Sequence, residues 1–184
     1  MRALDPNRVG SAYALTMFTP ILQGREEAVS EAIESLPLGA ESPLARLEQL
    51  HFSRLQIFDR LVYQGPPQKP DRLKSSYLVF TATFDGDLDP FLDAICERLP
   101  TEADSWWSHC VAYPGTGDPS AFRRYLKHNQ IRTTLFASAH PNARVDDVLE
   151  SLDLRERLMD FAVAAQIEPA ELQQRFRETF GSAA

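Results

Sequence analysis

Cysteine is scarce in this chain: Cys96 and Cys110 are the only two among 184 residues, and neither belongs to a C-x-x-C pair. That leaves no disulfide framework and no zinc-ligand spacing, so each is expected as a buried free thiol. Long apolar runs are also missing. No stretch approaches the about 18 residues a bilayer span requires, and Asp5, Pro6, Asn7 and Arg8 stand where a signal peptide would need an apolar segment. These absences predict a cytoplasmic protein in a reducing environment, with no membrane partner. Basic residues are few, 19 Lys and Arg against 26 Asp and Glu, for a net charge of −7, which argues against a nucleic-acid binder. The nucleophile elbow G-x-S-x-G, the phosphate loop, G-x-G-x-x-G and H-E-x-x-H are all absent. Hydrolases, nucleotide-dependent enzymes and zinc proteases of those classes are therefore disfavoured.

What is present is the composition of a folded domain, 43% hydrophobic and 24% charged. A chain of this length removes about 70% of its surface from water on folding, enough for a real core without staples. Residues 12–19 are β-rich in type, and Ala28, Val29, Ala32, Ile33 and Leu36 then recur at helical spacing over residues 25–36. Glu26 and Glu27 suit the first turn of that helix, and Pro37 stops it. Ser42 before Pro43 reads as the cap of a short helix. Strands are expected at residues 51–58 and 76–84, joined by a connection punctuated by Gly65, Pro66, Pro67 and Pro70. Asp85-Gly86 turns the chain into a helix over residues 88–99, with Asp87 placed to cap it. Further strands are expected at residues 109–113 and 133–139, with a helix from Asp118-Pro119 through His128 between them.

The C-terminal 40 or so residues read as helical. Val145, Val148, Leu149 and Leu152 make one stripe, and Leu154, Leu158, Phe161 and Ala165 another, which suggests a break near Asp153; a last helix begins near Pro169. Residues 11–141 are thus expected as an α+β domain and residues 142–184 as a helical extension. The order to residue 113, β-α-(α)-β-β-α-β, is that of a ferredoxin-like split βαβ unit, followed by an additional α-β-α segment. Leu78, Phe80, Ala82 and Phe84 alternate with Tyr77, Val79, Thr81 and Thr83, so both sheet faces need cover. Tyr13, Leu15 and Met17 are expected to share the second face with Tyr77 and Val79. A second copy would shield it, as in a dimeric α+β barrel, which makes a homodimer the expected assembly.

Four short motifs carry a resemblance: His51-Phe52-Ser53-Arg54 on a strand, Phe84-Asp85-Gly86 at a turn, Trp106-Trp107, and Tyr113-Pro114. Together they resemble an uncharacterised bacterial family over roughly residues 15 to 139. The resemblance implies a ferredoxin-like α+β fold and supplies no reaction.

Among candidate site residues, His51 and Arg54 lie three apart and would point to opposite faces of an unbroken strand. Either a bulge re-aims one of them or each has its own partner, with Asp85 or Asp59 the expected ion-pair partner of Arg54. His109 and His140 sit beside expected strand ends, where a histidine can donate, accept or ligate iron. The tryptophans are adjacent, so one is expected to face inward and one an edge. Asp85, Asp87, Asp89 and Asp93 are expected as exposed turn and capping carboxylates, since the calcium-loop pattern fails. No complete catalytic constellation assembles, and no metal site is expected. The reading favoured is a non-catalytic or accessory domain binding a small ligand or a partner through His51, Arg54, Asp85, His109 or His140. The alternative is a small α+β barrel oxidoreductase, haem-dependent through one of those histidines with Arg54.

Overall fold

The computed structural model describes residues 5–69, 72–164 and 168–181; Pro70 and Ala165, used in the sequence reading, lie outside them. The chain divides into two compact units, Met1–Asn142 and Ala143–Ala184.

The first unit is built on one open antiparallel sheet of β1 (Arg8–Val9), β2 (Ala12–Pro20), β3 (Leu50–Arg60) and β4 (Arg72–Asp85), in the spatial order β1-β2-β4-β3. Register assigns the faces, because directly paired residues point the same way. Tyr13, Leu15, Met17 and Thr19 pair with Phe84, Ala82, Phe80 and Leu78, and all eight are buried. This is the face covered by α1 (Glu26–Glu34), α2 (Leu88–Arg98), α3 (Pro100–Trp107) and α4 (Pro119–His128). Phe91 of α2 stacks on Phe84 with centroids 3.7 Å apart, and Trp107 of α3 meets Phe80 edge-on at 5.7 Å. The expectation that Tyr13, Leu15 and Met17 share a face with Tyr77 and Val79 is therefore overturned. The pairing puts Ala14, Thr16 and Phe18 on the second face with Thr83, Thr81 and Val79, beside Phe52, Arg54, Gln56 and Phe58 of β3.

Neither residues 109–113 nor residues 133–139 form a strand. The outer edge of β2 is shared among three short pieces instead. β1 pairs with Ala12 and Tyr13, Gln130 makes a single bridge to Met17, and Cys110 a single bridge to Ile21. Their backbone bonds are ordinary, such as Ile131 N–H to Thr16 O at 2.8 Å and Val111 N–H to Pro20 O at 2.8 Å. The Gln130 and Cys110 segments each make one bridge to the edge, so neither extends into a ladder. Thr133 is drawn off to Asn7, whose Oδ1 accepts from its N–H at 2.7 Å, and Leu135 beyond it is exposed. The sheet is open and does not close into a barrel.

Trp106 and Trp107 belong to a helix, and both are fully buried. The expected inward and edge division fails because α3 packs against both α1 and α2, while Trp107 also meets Phe122 of α4 at 6.0 Å. Ser42 caps a short 3-10 turn over Pro43–Arg46 through Leu44 N–H. Asp118 accepts from Ser120 and Ala121 N–H, both at 3.0 Å, at the start of α4.

The second unit holds α5 (Val145–Ala164) and α6 (Pro169–Phe180). The break expected near Asp153 is absent: α5 is one helix, and Asp153 pairs with Arg157 one turn on at 3.0 Å. Its two stripes are opposite sides of a single cylinder. Among the described residues no helix is long and apolar enough to cross a membrane.

Candidate functional site

The β3–β4 register slips between Leu50 and Phe52, leaving His51 as the extra residue of a bulge. Such a residue leaves the alternation of its strand. His51 Nε2 thereby lies 3.0 Å from Asp85 Oδ1, with both side chains largely buried. Ser11 Oγ approaches the same carboxylate oxygen at 3.3 Å and also Pro141 O at 3.3 Å. Serine and histidine thus meet on the carboxylate, rather than the histidine standing between serine and acid as nucleophile activation requires. The cluster ties the start of β3, the end of β4 and the residue 141 segment together.

Arg54 does not pair with Asp85 or Asp59, as the sequence suggested. The bulge gives Asp85 to His51, and Asp59 pairs with Arg60 at 3.3 Å. Among the described residues Arg54 has no hydrogen-bond or ion-pair partner. It lies on the second face opposite Thr81, with Phe52 beside it opposite Thr83. Phe52 is 77% exposed. These residues line a shallow depression of about 170 Å³. Further along the same face Phe18 meets Phe58 and Tyr77 with centroids 6.4 and 6.2 Å apart, and Val79 is buried beside them. Phe18 and Phe58 were not singled out in the sequence; the alternation of β2 against β4 was the signal, legible once the register is fixed.

The remaining candidates are dispersed. His109 is half-buried near the other end of β2, where its carbonyl accepts from Leu22 N–H at 2.8 Å. Eight strand steps at about 3.3 Å put that end roughly 26 Å from the Asp85 end. His140 is exposed in a turn, its N–H donating to Ser138 Oγ. His51 Nε2 is engaged by a carboxylate, and no histidine lines the three cavities around Ile21, Leu152 and Phe52. Among the described residues no group of three or more His, Cys, Asp or Glu is gathered as a metal site.

Three carboxylates expected as exposed caps make cross-element pairs instead: Asp87 with Arg8, Asp89 with Lys127, and Asp93 with Arg123 at 3.1 Å. Asp87 occupies the N-cap of α2, but its carboxylate accepts from Arg8 and from no backbone N–H of the first turn. The fourth, Asp85, is buried.

Two further features escaped the sequence reading. A cavity of about 640 Å³ opens at the other end of the sheet, lined by Ile21, Glu26, Ile57, Asp59, Lys74 and Val111 among others. Asp104 of α3 accepts from Tyr113 O–H at 2.7 Å, Thr116 N–H at 3.1 Å and Thr116 Oγ1 at 3.1 Å, clamping the loop before α4. Burial and the Asp104 carboxylate push the Tyr113 phenol upward. Burial pushes the Cys110 thiol up to about 11, and it raises Cys96 with help from Asp93. Both cysteines are buried and protonated, so neither is a ready nucleophile.

No protein-family model matches the chain, and no curated protein or solved structure matches it. The likeness carried by the His51–Arg54, Phe84–Gly86, Trp106–Trp107 and Tyr113–Pro114 motifs stands on those residues alone. What the structure establishes is the α+β architecture with its antiparallel sheet.

Proposed function

We propose that the first unit is a ferredoxin-like split βαβ domain serving as a non-catalytic binding module, with the second sheet face as its recognition surface. The chain order β2-α1-β3-β4-α2 and the spatial order β2-β4-β3 support the fold. The place of a fourth strand beside β2 is taken by single-bridge segments.

One observation carries the functional reading. Arg54 is a cation without a partner among the described residues, on a face whose other residues are apolar, hydroxyl-bearing or, at Gln56, an amide, in a chain whose net charge is −7. An unpaired guanidinium presents a planar fork of donors suited to a carboxylate, and the adjoining Phe52 offers an exposed ring. The depression around them, about 170 Å³, is smaller than the roughly 300–1,000 Å³ of enclosed small-molecule sites. A flat surface of this chemistry suits an acidic, apolar segment of a partner protein. Arg54 takes its carboxylate, while Phe52, Phe18 and Phe58 take its apolar side chains.

The anionic aryl probe 1-anilinonaphthalene-8-sulfonate tests the chemistry directly. We expect saturable fluorescence enhancement with the full chain, weakened roughly three- to tenfold by Arg54→Gln and by Phe52→Ser, as loss of about 1 kcal/mol of contact implies. Far-UV circular dichroism should be unchanged in both variants. Titrations identical to wild type in both would overturn the proposal.

A further inference from the structure

Helix α5 presents an apolar seam that α6 does not use. Phe161 meets Phe176 and Phe180 of α6 with centroids 5.8 and 5.5 Å apart, which fixes the side of α5 that α6 occupies. At about 100° per residue, Leu152 and Met159 point roughly 180° and 160° away from Phe161. Val145, Leu152 and Met159 recur every seven residues, and Leu149 and Val163 fall on the interleaved positions, with Glu156 between them. Leu149, Leu152, Met159 and Val163 are between 50 and 80% exposed. A groove of about 500 Å³ lies at the middle of this seam, between Leu152 and Met159. Apolar residues at interleaved seven-residue spacings are the pattern that supercoils one helix against another.

We infer that this seam pairs with α5 of a second copy, parallel and in register, to form a homodimer. Charge selects both the occupant and the direction. One border of the seam carries Asp146, Asp153 and Asp160 at seven-residue intervals, and the other carries Arg155. In a parallel two-fold pair each acidic border meets the basic border of the other copy. Arg155 then faces Asp160 five residues further along the second helix, twice over, which is the usual spacing of bordering charge pairs. Glu156, inside the seam, faces the second copy's Glu156 and is flanked by that copy's Arg155, so the two guanidinium groups offset one acid–acid contact at the centre of the pair. An antiparallel pair would set acid against acid and Arg155 against itself. Arg155, Glu156 and Asp160 have no partner among the described residues of one chain, so all three are available. The inference does not depend on the recognition surface of the first unit.

Cross-linking and sedimentation of the full chain test it. The native cysteines are buried, so a thiol introduced by Leu152→Cys reports on the seam, and Leu154→Cys, on the α6 side, is its control. We expect a dimer in sedimentation at about 100 µM. Mild oxidation should give a disulfide-linked dimer from Leu152→Cys and little from Leu154→Cys. Arg155→Glu should weaken association at least about tenfold, and Arg155→Glu with Asp160→Arg should restore it. A monomer, equal cross-linking of the two cysteine variants, a dimer without the Leu152→Cys link, or a dimer indifferent to Arg155→Glu would each overturn the inference.

Discussion

Replacing Gly10 with alanine tests how the N-terminal turn is held against the residue 141 segment. Gly10 has φ +62°, and a Cβ built on it would stand 2.0 Å from Pro141 O and 2.6 Å from the Pro141 carbonyl carbon. Backbone cannot yield as a flexible side chain would, so either the turn or the Pro141 segment must move. Left-handed backbone costs alanine about 1–2 kcal/mol. Displacing Pro141 also breaks the Ser11 N–H to Pro141 O bond of 2.9 Å, worth about 1 kcal/mol. The total is about 2–3 kcal/mol, a fall in Tm of roughly 4–12 °C for a chain of this size. Gly24 supplies the control. Its φ is +78°, but nothing lies within 4 Å of an added Cβ, so Gly24→Ala should show only the backbone cost, about 1–2 kcal/mol. Urea unfolding followed by the fluorescence of Trp106 and Trp107, both fully buried, measures each variant. Equal shifts of the midpoint would refute the close approach to Pro141.

Other outcomes follow from the buried polar groups. The Cys110 thiol is raised by burial from 9.0 to about 11, so the unfolded chain releases this proton before the folded one does. Stability should be fully present below pH 9 and fall between about pH 9 and 11, by about 3 kcal/mol in all; the raised phenols of Tyr113 and Tyr125 add in the same direction. Denaturant midpoints at pH 8 and pH 10.5 check this, and equal midpoints would contradict it. Asp104→Ala strands the three donors from Tyr113 and Thr116 and should cost about 2–4 kcal/mol, with faster amide exchange at Thr116; unchanged exchange would show that the clamp is idle. Asp118→Ala removes the cap on Ser120 and Ala121 and should cost about 1 kcal/mol in thermal unfolding, whereas Asp118→Asn should retain most of it.

The sequence disclosed the elements whose signals are local. β2, β3, β4, α1, α2 and α4 lie where alternation, helical spacing and capping residues placed them. The segments holding Cys110 and Thr133 have strand-like residues but no strand, because the β2 edge is divided between β1, distant from both in sequence, and the single bridges of Gln130 and Cys110. Helix α3 had its own signals, Pro100 at the first turn followed by Glu102, but the tryptophans drew attention to themselves as a motif. The two stripes of α5 were visible and their geometry was misjudged: opposite faces of one helix produce the same offset as a break. Within the site, the spacing of His51 and Arg54 correctly posed the choice between a bulge and separate partners. The bulge is what occurs: it sends His51 to Asp85, and Arg54 is left without a partner among the described residues. Which carboxylate meets which cation depends on register, and the spacing of charges along the chain does not contain it.

The claim that the second sheet face is the recognition surface is tested most directly by mapping amide shifts of the full chain during titration with 1-anilinonaphthalene-8-sulfonate. The account predicts saturating shifts at Phe52, Arg54, Thr81 and Thr83, which share that face, and their loss in Arg54→Gln. Shifts confined instead to Ile21, Glu26 and Lys74, around the cavity at the other end of the sheet, would contradict it.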